Sequence, residues 1–179
     1  MLTTFFERLG DLVLPWSELY SHHASLSTSV LVFHVLAIFI GGGMAIAADR
    51  AILRAPAGSA EATRAVMADL VTTHVFVITA LVVAFITGIS LFLSDVKTFS
   101  VSPVYWIKMT ALVVLLINGL RLQRAERTVM GSLADLPIHT TEMPIAFQKD
   151  QWRAIRGTAI VSAVLWPSIV VLGVVLTNS

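Results

Sequence analysis

The sequence contains no cysteine. Disulfides, iron–sulfur clusters, thiolate zinc sites and thioether-attached haem are thereby excluded, because each needs cysteine sulfur. A haem held by histidine is not. Charge is also scarce. Asp, Glu, Lys and Arg make up 13% of the 179 residues, against about a quarter in a typical soluble domain. The net charge is +1, which gives no basis for nucleic-acid binding. Asp and Glu are missing from the middle of every long apolar stretch. That argues against an ion-coupled transporter, which uses intramembrane carboxylates. No nucleophile elbow, phosphate loop or intramembrane carboxylate pair occurs, so no enzymatic chemistry is indicated. The first 20 residues carry Glu7, Arg8, Asp11 and Glu18 and lack a continuous apolar stretch. A cleavable signal peptide is therefore not expected, and the first apolar run would act as its own insertion signal.

Apolar residues are what the chain has in abundance: 56% of the sequence, with a mean hydropathy of +0.85. They gather in four runs, Thr28–Ala48, Thr72–Ser94, Val104–Leu122 and Ala154–Thr177. A helix rises 1.5 Å per residue, so about 20 residues cross a ~30 Å hydrocarbon core, and each run is long enough. The expected fold is all-α, a polytopic membrane protein built as one up-down four-helix transmembrane bundle over residues 1–179. The short Ser94–Pro103 link predicts that the second and third helices are antiparallel neighbours.

Lys and Arg are unevenly placed. Arg8 alone precedes the first run, and Lys97 alone lies between the second and third. The first loop holds Arg50, Arg54 and Arg64, and the third holds Arg121, Arg124, Arg127, Lys149, Arg153 and Arg156. Positive charge stays on the cytoplasmic side. Loops 49–71 and 123–153 are therefore expected in the cytoplasm and both termini outside, most simply in a bacterial inner (plasma) membrane. The third-loop arginines form a basic collar suited to anionic lipid headgroups or to an acidic partner.

Outside the runs, local signals are readable. Leu2, Phe5, Phe6, Leu9, Leu12, Val13 and Trp16 share one helical face, a short amphipathic segment. It would lie on the outer membrane surface, with Trp16 and Tyr20 at headgroup level, or pack over the bundle's helix ends. Ser25, Ser27 or Thr28 could cap the first helix. Glu61–Leu70 reads as a short helix, Arg121–Leu136 as an extension of the third span, and Ala146–Gly157 as a lead into the fourth. Pro137 and Pro144 bracket an irregular link. Pro167 would kink the fourth helix.

Two features within the runs bear on packing. Gly41, Gly42, Gly43 and Gly88 permit close helix approach; the triplet could instead form a notch for a cofactor or lipid tail. Lys108, one turn into the third run, either snorkels to water or turns inward towards an anionic ligand or Asp95.

Histidines are the remaining chemistry. His34 and His74 lie within or at the edge of apolar runs. Placed by depth, they are about 20 Å apart along the membrane normal, too far to clasp one haem iron. Separate sites would pair His34 with Met109, or His74 with Asn118, Arg121 or His139; otherwise His34 bonds a threonine or a free carbonyl and His74 sits near the headgroups. His22 and His23 precede the first run and could bind copper or zinc with Asp95.

The segments His74-Val-Phe-Val, Ile86-Thr-Gly-Ile-Ser-Leu-Phe-Leu-Ser-Asp95, Ser102-Pro-Val-Tyr-Trp-Ile-Lys-Met109 and Asn118-Gly119 resemble a group of uncharacterised bacterial four-helix inner-membrane proteins. More remotely they resemble copper-resistance D domains and membrane b-type cytochromes. The resemblance implies a four-helix bundle, with b-type haem or copper as the associated cofactors.

The leading functional expectation is a small non-enzymatic accessory or packing subunit, with the lipid bilayer and a membrane-protein partner or second copy as its contacts. The alternatives are a membrane redox or metal-handling protein using the intramembrane histidines, and a lipid- or quinone-binding protein using the glycine notch.

Overall fold

The computed structural model describes residues 2–56, 58–135, 137, 140–143 and 145–177, without the side chains of 2, 3 and 145–149. Those residues form α1 (Leu2–Leu12), α2 (Leu14–His22), α3 (Ala24–Arg54), α4 (Ala60–Ser94), α5 (Val96–Val101), α6 (Pro103–Ala134) and α7 (Ile145–Thr177). Four of them, α3, α4, α6 and α7, are long and apolar enough to cross a membrane. In their most apolar stretches only 6–22% of residues are buried inside the bundle. Phe39, Val75, Val164 and Ile86 point outward instead. In water such a surface would aggregate; hydrocarbon covers it, and the helices satisfy their own backbone groups. The chain is an all-α, multi-pass membrane bundle.

The long helices exceed the apolar runs, because local signals carry them past the hydrocarbon. Ser59 caps α4 by accepting from the Ala62 amide at 3.2 Å. Just before it Gly58 takes a φ of 110°, a conformation that favours glycine. Residues 61–70 therefore belong to α4 itself. Ser102 caps α6 ahead of Pro103, which suits a first helical turn. The start of α3 differs from expectation: it is Ala24, with His23 in the cap position and no side-chain cap. The chain runs from α2 into α3 almost without a break, so Ser25, Ser27 and Thr28 fall inside the helix.

Packing order also departs from the sequential arrangement. α3 lies along both α4 and α7, and α6 lies along α7, while α4 and α6 meet at few points. Small residues are the cause. A Cβ at Gly41 would stand 2.9 Å from Ala80 Cβ, and one at Gly42 would stand 2.9 Å from the Trp166 ring. Their absence lets α4 and α7 close on α3 from two sides and makes it the central helix. The link between α4 and α6 is no tight turn. It contains α5, which moves the chain sideways before α6 begins.

Buried apolar residues form two groups. Val77, Leu115, Trp166 and Ile169 pack within the spanning region. The larger group, including Ile52, Met67, Val129, Trp152 and Ile155, sits at the end where α3 and α6 finish and α4 and α7 begin. This end carries most of the arginines and is closed by its loops. The Ala60 amide donates to Thr141 O at 3.0 Å, and the Met143 amide to Gly58 O at 2.8 Å. Arg64 donates to the Pro137 and Thr140 carbonyls.

At the opposite end α1, α2 and α5 form a lid. Trp16 Nε1 donates to Ser90 O at 3.1 Å, and Ser17 Oγ to Ser94 O at 2.7 Å. Phe6 meets Phe92 and Trp106, and Phe92 stacks on Tyr105 with centroids 5.2 Å apart. The amphipathic segment thus packs over the helix ends. Phe5 and Leu12 remain exposed on its other flank.

Candidate functional site

His34 is a half-buried residue of α3. Its Nδ1 lies 3.0 Å from Ala84 O and 3.0 Å from Thr87 Oγ1. A carbonyl only accepts, so Nδ1 carries the hydrogen. The threonine hydroxyl spends its own hydrogen on Val83 O at 2.7 Å and therefore also accepts from the imidazole. One Nδ1–H is thus shared between the carbonyl and the hydroxyl. The ring has space because position 88 is glycine: a Cβ there would stand 3.2 Å from His34 Cε1.

Lys108 approaches from α6. It is half-buried, and its Nζ lies 3.6 Å from where a Cβ would stand at Gly173 of α7. Among the described residues it makes no ion pair with Asp95 or any other carboxylate and no hydrogen bond. Asp95 instead caps α5 by accepting from the Thr98 amide. Met109 is half-buried beside Lys108 on α6, whereas the hydrogen-bonding partners of His34 both come from α4.

His74 belongs to a separate polar layer at the arginine-rich end. Its Nδ1 lies 3.1 Å from Glu126 Oε2. This corrects the partners expected from sequence. Asn118 donates instead to Thr158 O at 2.9 Å, Arg121 is exposed, and His139 lies outside the described residues. Glu126 and Asp49 were missed as buried groups, although a signal was present. Leu122, Glu126, Val129 and Leu133 are spaced by four, three and four, so the glutamate sits on the buried stripe of α6. Asp49 lies likewise beside Ala48 and Ile52 on α3. Asp49 Oδ2, Glu126 Oε1 and Trp152 Nε1 are buried without a hydrogen-bond partner among the described residues.

His34 and His74 do not meet. His34 bonds at the level of Ala84, and His74 is ten residues away on that same helix, about 15 Å at 1.5 Å per residue. Each also has its Nδ1 engaged elsewhere. A haem clasped between them does not fit. His22 ends α2, and His23 Nδ1 faces Leu19 O at 3.1 Å; both are exposed. Among the described residues no three His, Asp or Glu side chains converge as a metal site. The glycine notch is filled from inside, by Trp166 at Gly42 and by Ala80 at Gly41. Gly43 is the exception within the triplet: it faces outward, and nothing lies within 4 Å of where its Cβ would stand.

No protein-family model, curated protein or solved structure matches this chain.

Proposed function

We propose that this protein is a non-enzymatic membrane subunit that works by packing against another membrane helix, from a partner protein or a second copy. The observation that carries the reading is the outer face of α3. Gly43 is open to the surroundings, and Ala47, one turn on, is exposed beside it. Small residues four apart let two helix backbones approach closely in lipid, where dispersion and close packing drive association. The inward glycines are occupied within the chain; this outward pair is not. A Gly43→Cys variant should cross-link to its partner or to itself in native membranes, and Gly43→Leu should abolish co-purification while the fold persists. Unchanged co-purification of Gly43→Leu would sink the proposal.

We place the protein in a bacterial inner membrane with both termini outside. The support is the charge distribution: Arg50, Arg54, Arg64, Arg121, Arg124, Arg127, Arg153 and Arg156 belong to one end of the bundle, with Arg8 and Lys97 at the other.

A further inference from the structure

We infer that the seam between α3 and α7 binds the headgroup of an anionic phospholipid through Arg50, Arg54, Arg153 and Arg156. The inference does not use the small pair Gly43 and Ala47. It starts from one contact. Arg156 Nη2 of α7 donates to Leu53 O, in the last turn of α3, at 2.9 Å. This half-buried guanidinium is thereby held at the end of α3, with further N–H groups left for another acceptor. Helical spacing adds its neighbours. Arg54 follows Leu53 directly, Arg50 precedes Leu53 by three residues, and Arg153 precedes Arg156 by three. Residues three apart share a helix face. Arg50, Arg54 and Arg153 are all exposed.

None of the four makes an ion pair among the described residues. The nearest carboxylates in sequence do not serve them. Asp49 is buried, at 2% exposure. Asp150, one turn before Arg153, is exposed and forms no ion pair. The seam therefore carries positive charge that no described carboxylate neutralises.

Depth selects the ligand. The apolar run of α3 ends at Ala48, and that of α7 begins at Ala154. The arginines thus bracket the edge of the hydrocarbon, the level of lipid phosphates. Ile46 lies one turn before Arg50, and Ile160 and Val164 lie one and two turns after Arg156. They continue the same faces into the apolar region, and Ile160 and Val164 are 54% and 61% exposed. An acyl chain can lie along that wall with its phosphate at the arginines. A free phosphate makes no use of the wall, and an acidic protein segment would have to enter hydrocarbon to reach it. A guanidinium donates two parallel N–H bonds to a phosphate. A zwitterionic headgroup brings its own ammonium into a site already positive; a phosphatidylglycerol headgroup does not. Arg124 and Arg127 stand apart from this seam on α6, which packs along α7 but not along α3.

The test is native mass spectrometry of the full-length protein, solubilised with equal amounts of dioleoylphosphatidylglycerol and dioleoylphosphatidylcholine. Retention of one phosphatidylglycerol per chain, in preference to phosphatidylcholine, is expected. Arg50→Gln combined with Arg153→Gln should lower that retention by about tenfold or more. Arg124→Gln combined with Arg127→Gln removes the same charge outside the seam and should leave retention unchanged. Arg156→Lys keeps the charge and a donor to Leu53 O but loses the planar fork, and should weaken retention. Should that variant fail to fold, the exposed Arg50 and Arg153 pair carries the test alone. Equal losses in the two double variants would reduce the effect to a diffuse basic collar and overturn the site. Equal retention of the two lipids would overturn it as well. Displacement of the lipid by glycerol 3-phosphate would assign the seam to a soluble phosphate instead. A co-purifying protein released by the Arg50 and Arg153 changes, with no lipid retained, would assign it to an acidic partner; either result sinks the inference. All these variants leave Gly43 and Ala47 in place, so the helix contact proposed there stands or falls separately.

Discussion

Gly42 and Gly43 are adjacent in sequence and opposite in consequence. At Gly42 a methyl group would meet the rigid indole of Trp166 at 2.9 Å, whereas at Gly43 it would meet nothing within 4 Å. Overpacking a tight contact costs about 1–3 kcal/mol. Gly42→Ala should therefore lower the thermal unfolding midpoint in detergent, and Gly43→Ala should leave it in place; matching midpoints would mean that Trp166 moves aside freely. The His74–Glu126 pair allows a second test at this scale. Its 3.1 Å contact is mostly shielded from solvent. Removing one member of a buried pair strands the other, at roughly 3–5 kcal/mol. His74→Leu should destabilise by that order, and His74→Leu combined with Glu126→Leu should recover most of the loss. A double variant as unstable as the single one would show that the pair is not coupled.

At the level of elements, the helices are decided by their ends. Ser59 caps α4 through the Ala62 amide and its carbonyl accepts from the Thr63 amide. Loss of such a cap costs about 0.5–2 kcal/mol. Ser59→Ala should fray the first turn of α4 and speed proteolysis near residues 55–59, while the membrane-embedded part stays protected. The lid at the other end depends on fewer contacts. Trp16→Phe keeps an aromatic ring, though a smaller one, and removes the donor to Ser90 O, a bond worth about 0.5–1.5 kcal/mol. Faster hydrogen exchange confined to α1 and α2 is expected; exchange unchanged throughout would mean that aromatic packing alone holds them. These elements were partly legible. The periodicity of residues 2–16 revealed an amphipathic helix, but sequence left open whether it covered the bundle or lay on lipid, because the apolar face is the same in both cases.

For the whole molecule, topology is the most direct prediction. The chain lacks cysteine, so single cysteines report cleanly. Val101, 75% exposed at the lid end, should react as Val101→Cys with an impermeant thiol reagent added outside cells. Arg127→Cys, at the arginine-rich end, should react only after permeabilisation. The reverse pattern would invert the proposed orientation.

The length and hydropathy of four runs determined that the protein is a multi-pass membrane protein. Burial of apolar surface in lipid depends on run length and hydropathy, and both are properties of a linear string. Chain neighbours could not decide which helices touch. Close approach depends on where Gly41, Gly42 and Gly88 point around their helices, and a bulky Trp166 from far along the chain meets one of them. For the same reason Lys108 and Gly173, 65 residues apart in sequence, come together only once α6 and α7 pack. Glu126 becomes the partner of His74 only because α4 and α6 come together at the arginine-rich end of the bundle. The tertiary structure decided these pairings because hydrogen bonds and charges act over a few ångströms, and only packing sets such distances between residues remote in sequence.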